Sequence, residues 1–325
     1  MVTPLLDIRD FSVTFPSLGG DIRAVRGINL QLGEGESVAV LGESGSGKSV
    51  TSRAILGLID VPPARLEGSI LFDGVEVLGR SDKELAAIRG RGVSMVFQDA
   101  LDGLNPVYTV GDQISELLRV RAHMSRKTAK AEAISLMQQV GIPAAAQRAK
   151  DYPHQFSGGM RQRICIAMAV ALKPKLLIAD EPTTALDVTV QAEILQLIAR
   201  LQREANMALI FVTHDLGVAH NIAENLMVMY AGVVMEFGPT NAVFGAPAHP
   251  YTQALMRSHP SEATHWSDLQ PIAGSPPDKT ERLAGCPFSP RCPHSTDRCT
   301  KEEPALRRGP AGHQVRCHFD LDAQI

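Results

Sequence analysis

The sequence predicts an α/β fold: a parallel sheet core, an antiparallel β layer, a helical insertion and a loop-rich tail. Three observations predict it. Ser37 to Leu41 is a short apolar run that leads through a glycine-rich loop into a helix-compatible run from Lys48, the opening of an α/β unit. Lys175 to Ala179 and Ala208 to Thr213 are continuous apolar runs, the pattern of strands buried on both faces of a parallel sheet. Ile28 to Leu32 alternates with period two, and Ile70-Leu71-Phe72 meets Val75-Glu76-Val77 across Asp73-Gly74, a dipeptide that favours a hairpin turn and so an antiparallel layer.

The other segments follow in order. Thr109 to Val140 has a helical pattern, and its Arg119, Arg121, Arg126, Lys127 and Lys130 read as a solvated face. Val190, Ile194, Leu197, Ile198 and Leu201 recur at helical spacing between the two apolar strands, as a crossover helix requires. After Gly238 the periodicity fades and prolines accumulate at 239, 247, 250, 260, 271, 276 and 277, which marks a linker into a loop-rich tail. No internal repeat or low-complexity tract is present.

With 325 residues, 44% of them hydrophobic, the chain can bury one large core and carry a small appended domain. A formal net charge of −3 gives no electrostatic basis for a nucleic-acid partner, which needs a basic face. No apolar stretch approaches the roughly 20 residues of a membrane-spanning helix. The N-terminus lacks a basic start followed by an apolar core, so the expectation is a cytoplasmic protein that meets a membrane only through partners. Four of the five cysteines, at 286, 292, 299 and 317, crowd into the tail, which in a reducing compartment points to metal more than to disulfides. Cys165 reads as packing.

Gly42-Glu43-Ser44-Gly45-Ser46-Gly47-Lys48-Ser49 fits a phosphate loop. Glycines let successive backbone N–H groups turn inward around the phosphates of a nucleotide, in ATPases and GTPases alike. Lys48 reaches the β and γ phosphates, and the Ser49 hydroxyl ligates Mg2+. Leu176 to Glu181 is an apolar strand ending in two carboxylates. Downstream of a phosphate loop, Asp180 is assigned to Mg2+ through water and Glu181 to the attacking water as general base.

Phe156-Ser157-Gly158-Gly159-Met160-Arg161-Gln162-Arg163 opens a helix just before that strand and resembles the signature of ABC ATPases. The chain is therefore identified as a member of that family, with Met160 where glutamine is commoner, a form similar to the peptide-importer branch. The resemblance implies a P-loop ABC nucleotide-binding domain: a RecA-like parallel sheet core with an antiparallel β subdomain and an α-helical subdomain. It places the cassette over residues 1–238, the helical subdomain at about 100–165, and a cysteine-bearing extension over 239–325. It also implies roles for residues that alone would read as a surface amide, a helix cap, a strand-end histidine and a core aromatic. Gln98 looks like the glutamine that touches Mg2+ and the catalytic water, Asp187 like the dimer-crossing aspartate, His214 like the γ-phosphate switch histidine, and Phe15 like the ring on which adenine stacks. Ser157, Gly158 and Gly159 would grip the γ-phosphate of an ATP bound by the opposite subunit.

Leu104-Asn105-Pro106, Tyr152 to Ser157, Glu181 to Val188 and His249 to Leu255 resemble the dipeptide and oligopeptide permease ATPases. Asp99-Ala100-Leu101-Asp102-Gly103 departs from that branch where it faces the permease. The resemblance implies an ATPase that energises peptide uptake from the cytoplasmic face of the bacterial inner membrane. Its partners would be two transmembrane permease subunits, a second homologous ATPase forming a heterodimer, and an external solute-binding protein. Nickel, glutathione or antibiotic peptides are alternative solutes, and a soluble ABC ATPase outside transport is the rival class, which lacks support from a second cassette, a coiled coil or a basic surface. The four tail cysteines are separated by five, six and seventeen residues. Four thiolates can hold a 4Fe–4S cluster or zinc. His294, His313 and His318 keep zinc open, and the branch resemblance favours the cluster.

Overall fold

The computed structural model describes residues 3–99, 103–184, 186–258, 271–278, 280, 284–309 and 313–319. Ala100, Leu101 and Asp102 of the divergent segment, Ala185 before Asp187, and Pro260 lie outside the described residues. The chain divides into two compact units, one of Met1–Leu32, Ser37–Gly79 and Phe211–Ile325, the other of Gly33–Glu36 and Arg80–Ile210.

The first unit opens with β1 (Leu6–Phe15), β2 (Ile22–Leu32), β3 (Ser37–Leu41), α1 (Lys48–Ile55), β4 (Arg65–Phe72) and β5 (Val75–Glu76). Strands β2, β1, β4 and β5 form an antiparallel sheet in that order. Its last turn is the expected hairpin: Asp73 and Gly74 both take positive φ, 50° and 75°, and Phe72 faces Val75, the geometry in which a Gly at the second corner is favoured. β3 is buried at every residue, which is why its sequence does not alternate.

The second unit contains α2 (Asp82–Leu85), β6 (Val93–Val96), α3 (Val110–Ala122), α4 (Arg126–Gln139), α5 (Ala145–Arg148), α6 (Gly158–Val170), β7 (Leu176–Asp180) and α7 (Val188–Ala205). The helical stretch expected over 109–140 is two helices. Thr109 caps the first, His123 ends it in the left-handed region, and Ser125 caps the second. The crossover helix α7 buries Ile194, Leu197, Ile198 and Leu201, the residues whose spacing announced it.

β8 (Ala208–Thr213) carries the chain back into the first unit, followed by α8 (Leu216–Ile222), β9 (Asn225–Tyr230), β10 (Val233–Pro239), α9 (Thr240–Gly245), α10 (Pro250–Arg257), α11 (Asp297–Lys301), β11 (Arg307–Arg308) and β12 (Gln314–Val315). There the strand order is β11, β12, β10, β9, β3, with β9 parallel to β3 and antiparallel to β10. Among the described residues the tail is loop-rich as expected, yet it closes on the strands: Tyr251, Phe288, Cys286 and Cys299 share one buried cluster with Leu41, Val228, Tyr230 and Met235.

Two polar knots fasten that tail. The Glu236 carboxylate, fully buried, accepts from the N–H groups of Ala248 and His249 at 2.7 and 3.0 Å and stands 2.7 Å from His313 Nε2. Arg316 donates through Nε to the Val234 carbonyl at 2.9 Å and pairs with Glu303, which also pairs with Arg26. Buried charges persist only when bonded in this way.

His249 is almost wholly buried, and its Nδ1 accepts from the Tyr251 N–H at 3.0 Å to cap α10. Burial pulls its pKa down to about 4 from 6.5, against the opposing pull of Glu236. Because the folded value lies below the unfolded one, the unfolded chain binds the extra proton between them. Stability is therefore full above about pH 6.5 and falls by about 3 kcal/mol as pH drops toward 4. Thermal melts should show this acid loss, and His249→Asn, which keeps a capping acceptor without titrating, should flatten it. A melt equally acid-sensitive in the variant would assign the loss to other groups.

Candidate functional site

The residues singled out in the sequence fall in both units. In the first unit, β3 ends at Leu41 and the chain turns through the loop 42–49 into α1. Gly42, Gly45 and Gly47 have φ of 155°, 78° and 103°. A Cβ on Gly42 would stand 2.2 Å from the Met229 carbonyl oxygen, and one on Gly47 2.5 Å from that of Ala24. Only glycine meets both demands, backbone approach and positive φ. Lys48, the first residue of α1 and 5% exposed, turns its Nζ back into the loop, donating to the carbonyls of Gly42 and Glu43 at 2.7 and 3.0 Å. Ser44 and Gly45 are exposed, Ser46 is buried and Ser49 is half-buried. The loop thus offers a lysine ammonium and a helix N-terminus side by side, the chemistry of a polyphosphate seat.

Phe15 ends β1 half-buried, leaving part of its ring open. His214 is exposed just after β8, and the next residue, Asp215, caps α8 by accepting from the Val218 N–H at 3.0 Å.

In the second unit, parallel pairing puts Val96 of β6 opposite Ala179 of β7. Two residues further along, the register brings Gln98 to Glu181, and Gln98 Nε2 donates to Glu181 Oε2 at 3.2 Å. The Thr184 hydroxyl donates to the same oxygen at 3.1 Å. Glu181 sits at φ 46°, a costly conformation for a non-glycine residue that turns its carboxylate off the strand end. Asp180, at the end of the fully buried β7, is 3% exposed. Each residue is visible in the sequence by itself; their hydrogen bond depends on the register, which no local pattern encodes.

Ser157 caps α6, its hydroxyl accepting from the Met160 N–H at 3.4 Å. Met160 itself takes a contact from Arg148, whose Nη1 is 3.2 Å from its sulfur and whose guanidinium lies 4.2 Å from the Phe156 ring centre. Gly158 and Gly159 differ. A Cβ on Gly159 would come within 2.4 Å of Val190 Cγ1, whereas one on Gly158 would meet only Leu186 Cδ2 at 3.6 Å. Asp187 caps α7, accepting from the Val190 N–H at 2.9 Å.

In the tail, Cys286, Cys292, Cys299 and Cys317 line one small cavity together with His294 and His318. All five cysteines are free thiols. Burial, reinforced by the neighbouring sulfurs, pushes Cys286 up to about 12 and Cys292 to about 11, and raises Cys317. Among the described residues no group of three or more His, Cys, Asp or Glu side chains is disposed to hold a metal ion. His313, counted with the cysteines in the sequence, is engaged by Glu236 instead. Cys165 is half-buried, its thiol pushed up to about 12 chiefly by burial, as a packing residue would be.

A family profile described as ABC transporter matches residues 25–184, and one described as oligopeptide/dipeptide transporter, C-terminal region, matches residues 235–299. The dipeptide transport ATP-binding protein DppD of Escherichia coli is 49% identical over 98% of this chain and 97% of its own length. The oligopeptide transport ATP-binding protein OppD of Bacillus subtilis is 46% identical, over 97% of this chain and 88% of its own. Among solved structures, a dimeric ATP-binding cassette in a post-hydrolysis state bound to ADP and Pi shares a TM-score of 0.65 and 30% identity, covering 72% of this chain and 98% of that one.

The contrast between the paired glycines is testable. Gly159→Ala forces a methyl into Val190 and should cost about 1–3 kcal/mol in denaturant melts. Gly158→Ala should be neutral or slightly stabilising, since alanine favours a helix over glycine. Equal effects at both positions would refute the packing account.

Proposed function

Because the chain belongs to the ABC transporter family, in its dipeptide and oligopeptide branch, we infer that it is the ATP-hydrolysing subunit of a peptide importer. The observation that carries this reading is that the likeness runs through the cassette and the tail alike, to relatives of that function. Among the described residues no helix is long and apolar enough to cross a membrane, so passage of the solute falls to other subunits. We place the chain at the cytoplasmic face of the inner membrane, with two permease subunits, a related but distinct second ATPase, and an external solute-binding protein.

The residues divide the work as follows. The N–H groups of the loop (Gly42, Ser44, Gly45, Ser46, Gly47) and Lys48 bind the ATP phosphates, and Phe15 offers a π face to adenine. Ser49, Gln98 and Asp180 supply the hard oxygen donors that suit Mg2+, which when bound neutralises charge on the β and γ phosphates. Glu181 takes the proton of the attacking water; the Gln98 amide and the Thr184 hydroxyl, both on its Oε2, hold the carboxylate in one orientation, which general-base catalysis requires. His214 contacts the γ-phosphate. Ser157, Gly158 and Gly159 offer the N-terminus of a 13-residue helix to the nucleotide of the opposite ATPase, and Asp187 crosses that interface. The dimeric state of the solved cassette with ADP and Pi supports such a composite arrangement.

The tail cysteines are the soft donor set of a 4Fe–4S cluster, with zinc as the second choice. What supports this reading is that the four cysteines line one cavity, although among the described residues no three side chains are disposed to hold a metal ion as they stand. Cys286, Cys292, Cys299 and Cys317 would be the ligands, and the raised thiol pKa values of Cys286, Cys292 and Cys317 mean that loading would release protons.

Three measurements test this reading. Glu181→Gln should keep ATP binding and lower hydrolysis by at least about 100-fold, whereas Lys48→Ala should weaken binding itself; near-normal turnover in the first, or normal affinity in the second, would remove that residue from its role. The chain alone should hydrolyse ATP slowly, with activity rising when the partner ATPase and permeases are added, and concentration-independent full activity would exclude the composite site. Anaerobically purified protein should carry iron and acid-labile sulfide that Cys292→Ser removes, while stoichiometric zinc without sulfide would overturn the cluster.

A further inference from the structure

The phosphate loop is held partly from outside itself. Glu43, its second residue, has every polar group engaged. Its N–H donates to the Tyr251 hydroxyl at 3.0 Å. Its carbonyl accepts from Lys48 Nζ at 3.0 Å and from the Ser46 N–H at 3.2 Å. Its carboxylate Oε2 accepts from Arg291 Nη1 at 2.9 Å. Tyr251 and Arg291 both lie beyond residue 239, far from the loop in sequence.

Arg291 is built in. Its side chain is 5% exposed. Nη1 also donates to the Tyr230 hydroxyl at 3.2 Å, Nε to the Ala273 carbonyl at 2.9 Å and Nη2 to the Ile272 carbonyl at 3.4 Å. The guanidinium lies 5.7 Å and 5.9 Å from the ring centres of Tyr230 and Phe288. An arginine fixed by three nitrogens and two rings is a preorganised anchor, unlike an exposed counter-ion held by one contact. It also removes a liability: an unpaired carboxylate in a loop that receives polyphosphate would repel its ligand.

The anchor is set by the cysteine cavity. Arg291 closes a single 3-10 turn, Ser289–Arg291, that lies between Cys286 and Cys292. The Ser289 N–H donates to the Cys286 carbonyl at 3.0 Å, the Cys292 N–H to the Ser289 carbonyl at 3.4 Å, and the Cys286 N–H to the Cys299 carbonyl at 2.8 Å. The backbone that carries the guanidinium is thus bonded to Cys286 and Cys292, and through Cys286 it is one bond further from Cys299, so a shift of the cysteines moves the turn.

We propose that Arg291 is a positioning residue for the phosphate loop, and that through it the cysteine-lined cavity sets the nucleotide affinity of the cassette. This rests on the reading of residues 42–49 as the ATP site. The test measures the Kd of the full chain for a fluorescent ATP analogue, with a thermal melt of every variant. Arg291→Ala should weaken binding about 10-fold, the worth of one lost charge-assisted contact. Glu43→Gln, which keeps an acceptor for Arg291, should stay within about threefold of the parent. Adding Glu43→Gln to Arg291→Ala should restore the part of the loss that comes from the unpaired carboxylate and leave the part that comes from the lost anchor, a partial rescue that a merely structural role would not give. Cys292→Ser should weaken binding in the parent and add nothing in the Arg291→Ala background.

If Arg291→Ala does not fold, Arg291→Lys replaces it, with a smaller loss and the same rescue. Unchanged affinity in the Arg291 variant, or no rescue, overturns the anchor; an additive Cys292→Ser effect overturns its link to the cavity. Normal binding by Lys48→Ala would instead defeat the reading of the loop, and iron content, measured on the same samples, reports on the cluster separately.

Discussion

Everything in the first unit is arranged around the close passage of the loop 42–49 against two backbone carbonyls, those of Ala24 in β2 and Met229 in β9. The gaps leave no room for a Cβ. Backbone that close can neither drift nor repack, so the loop's N–H groups are aimed before any ligand arrives. That is the condition under which polar groups act without reorganising. It also fixes what the neighbouring strands must be: β2 and β9 have to hold their own positions to within a few tenths of an ångström, and both are tied into sheets.

The tail serves the same end. β10 pairs with β9 and with β12, so the strand that presses on the loop is backed by β10 and, beyond it, by β12. The buried Glu236 knots that backing to α10 and to His313, and Tyr251 and Arg291 reach from it to Glu43. A loop-rich extension is an expensive way to build a scaffold, because it orders many residues for little regular hydrogen bonding. Its aromatic cluster of Tyr230, Tyr251 and Phe288, with ring centres 4.7 to 5.4 Å apart, supplies the apolar burial that offsets this cost.

Much of this was legible in the sequence, for physical reasons that can be named. β7 and β8 carry no polar residue until the point where function begins, and β3 has only Ser37 at its start, because both faces are covered. The hairpin at Asp73-Gly74 and the crossover helix follow from local turn chemistry and period. β9 and β10 were not singled out, since the turn between them is Ala231-Gly232; both residues take positive φ, yet alanine is a poor signal for such a corner. Among the site residues, Lys48, Asp180, Glu181 and the cysteines were visible as patterns. The bond from Gln98 to Glu181 and the contacts of Glu43 with Tyr251 and Arg291 were not, because they join residues 83, 208 and 248 positions apart, and only register and tertiary packing bring them together.

The paired glycines at the start of α6 show how packing can be subtracted to leave function. Gly159 is accounted for by Val190: α6 and α7 approach too closely there for any side chain. Gly158 has no such reason, since a methyl at its position would make only an ordinary contact with Leu186. Nor does backbone conformation demand it, for it lies in a regular first helical turn, where glycine is less favourable than alanine. Ser157 meets the local need for a cap, so α6 would form with a larger residue at 158. What such a residue would obstruct is approach to the exposed N–H groups of that turn from outside the helix. A glycine where neither packing nor φ requires one leaves the backbone of that turn open to close approach, and a helix N-terminus favours an anion, which supports the role proposed for Ser157, Gly158 and Gly159.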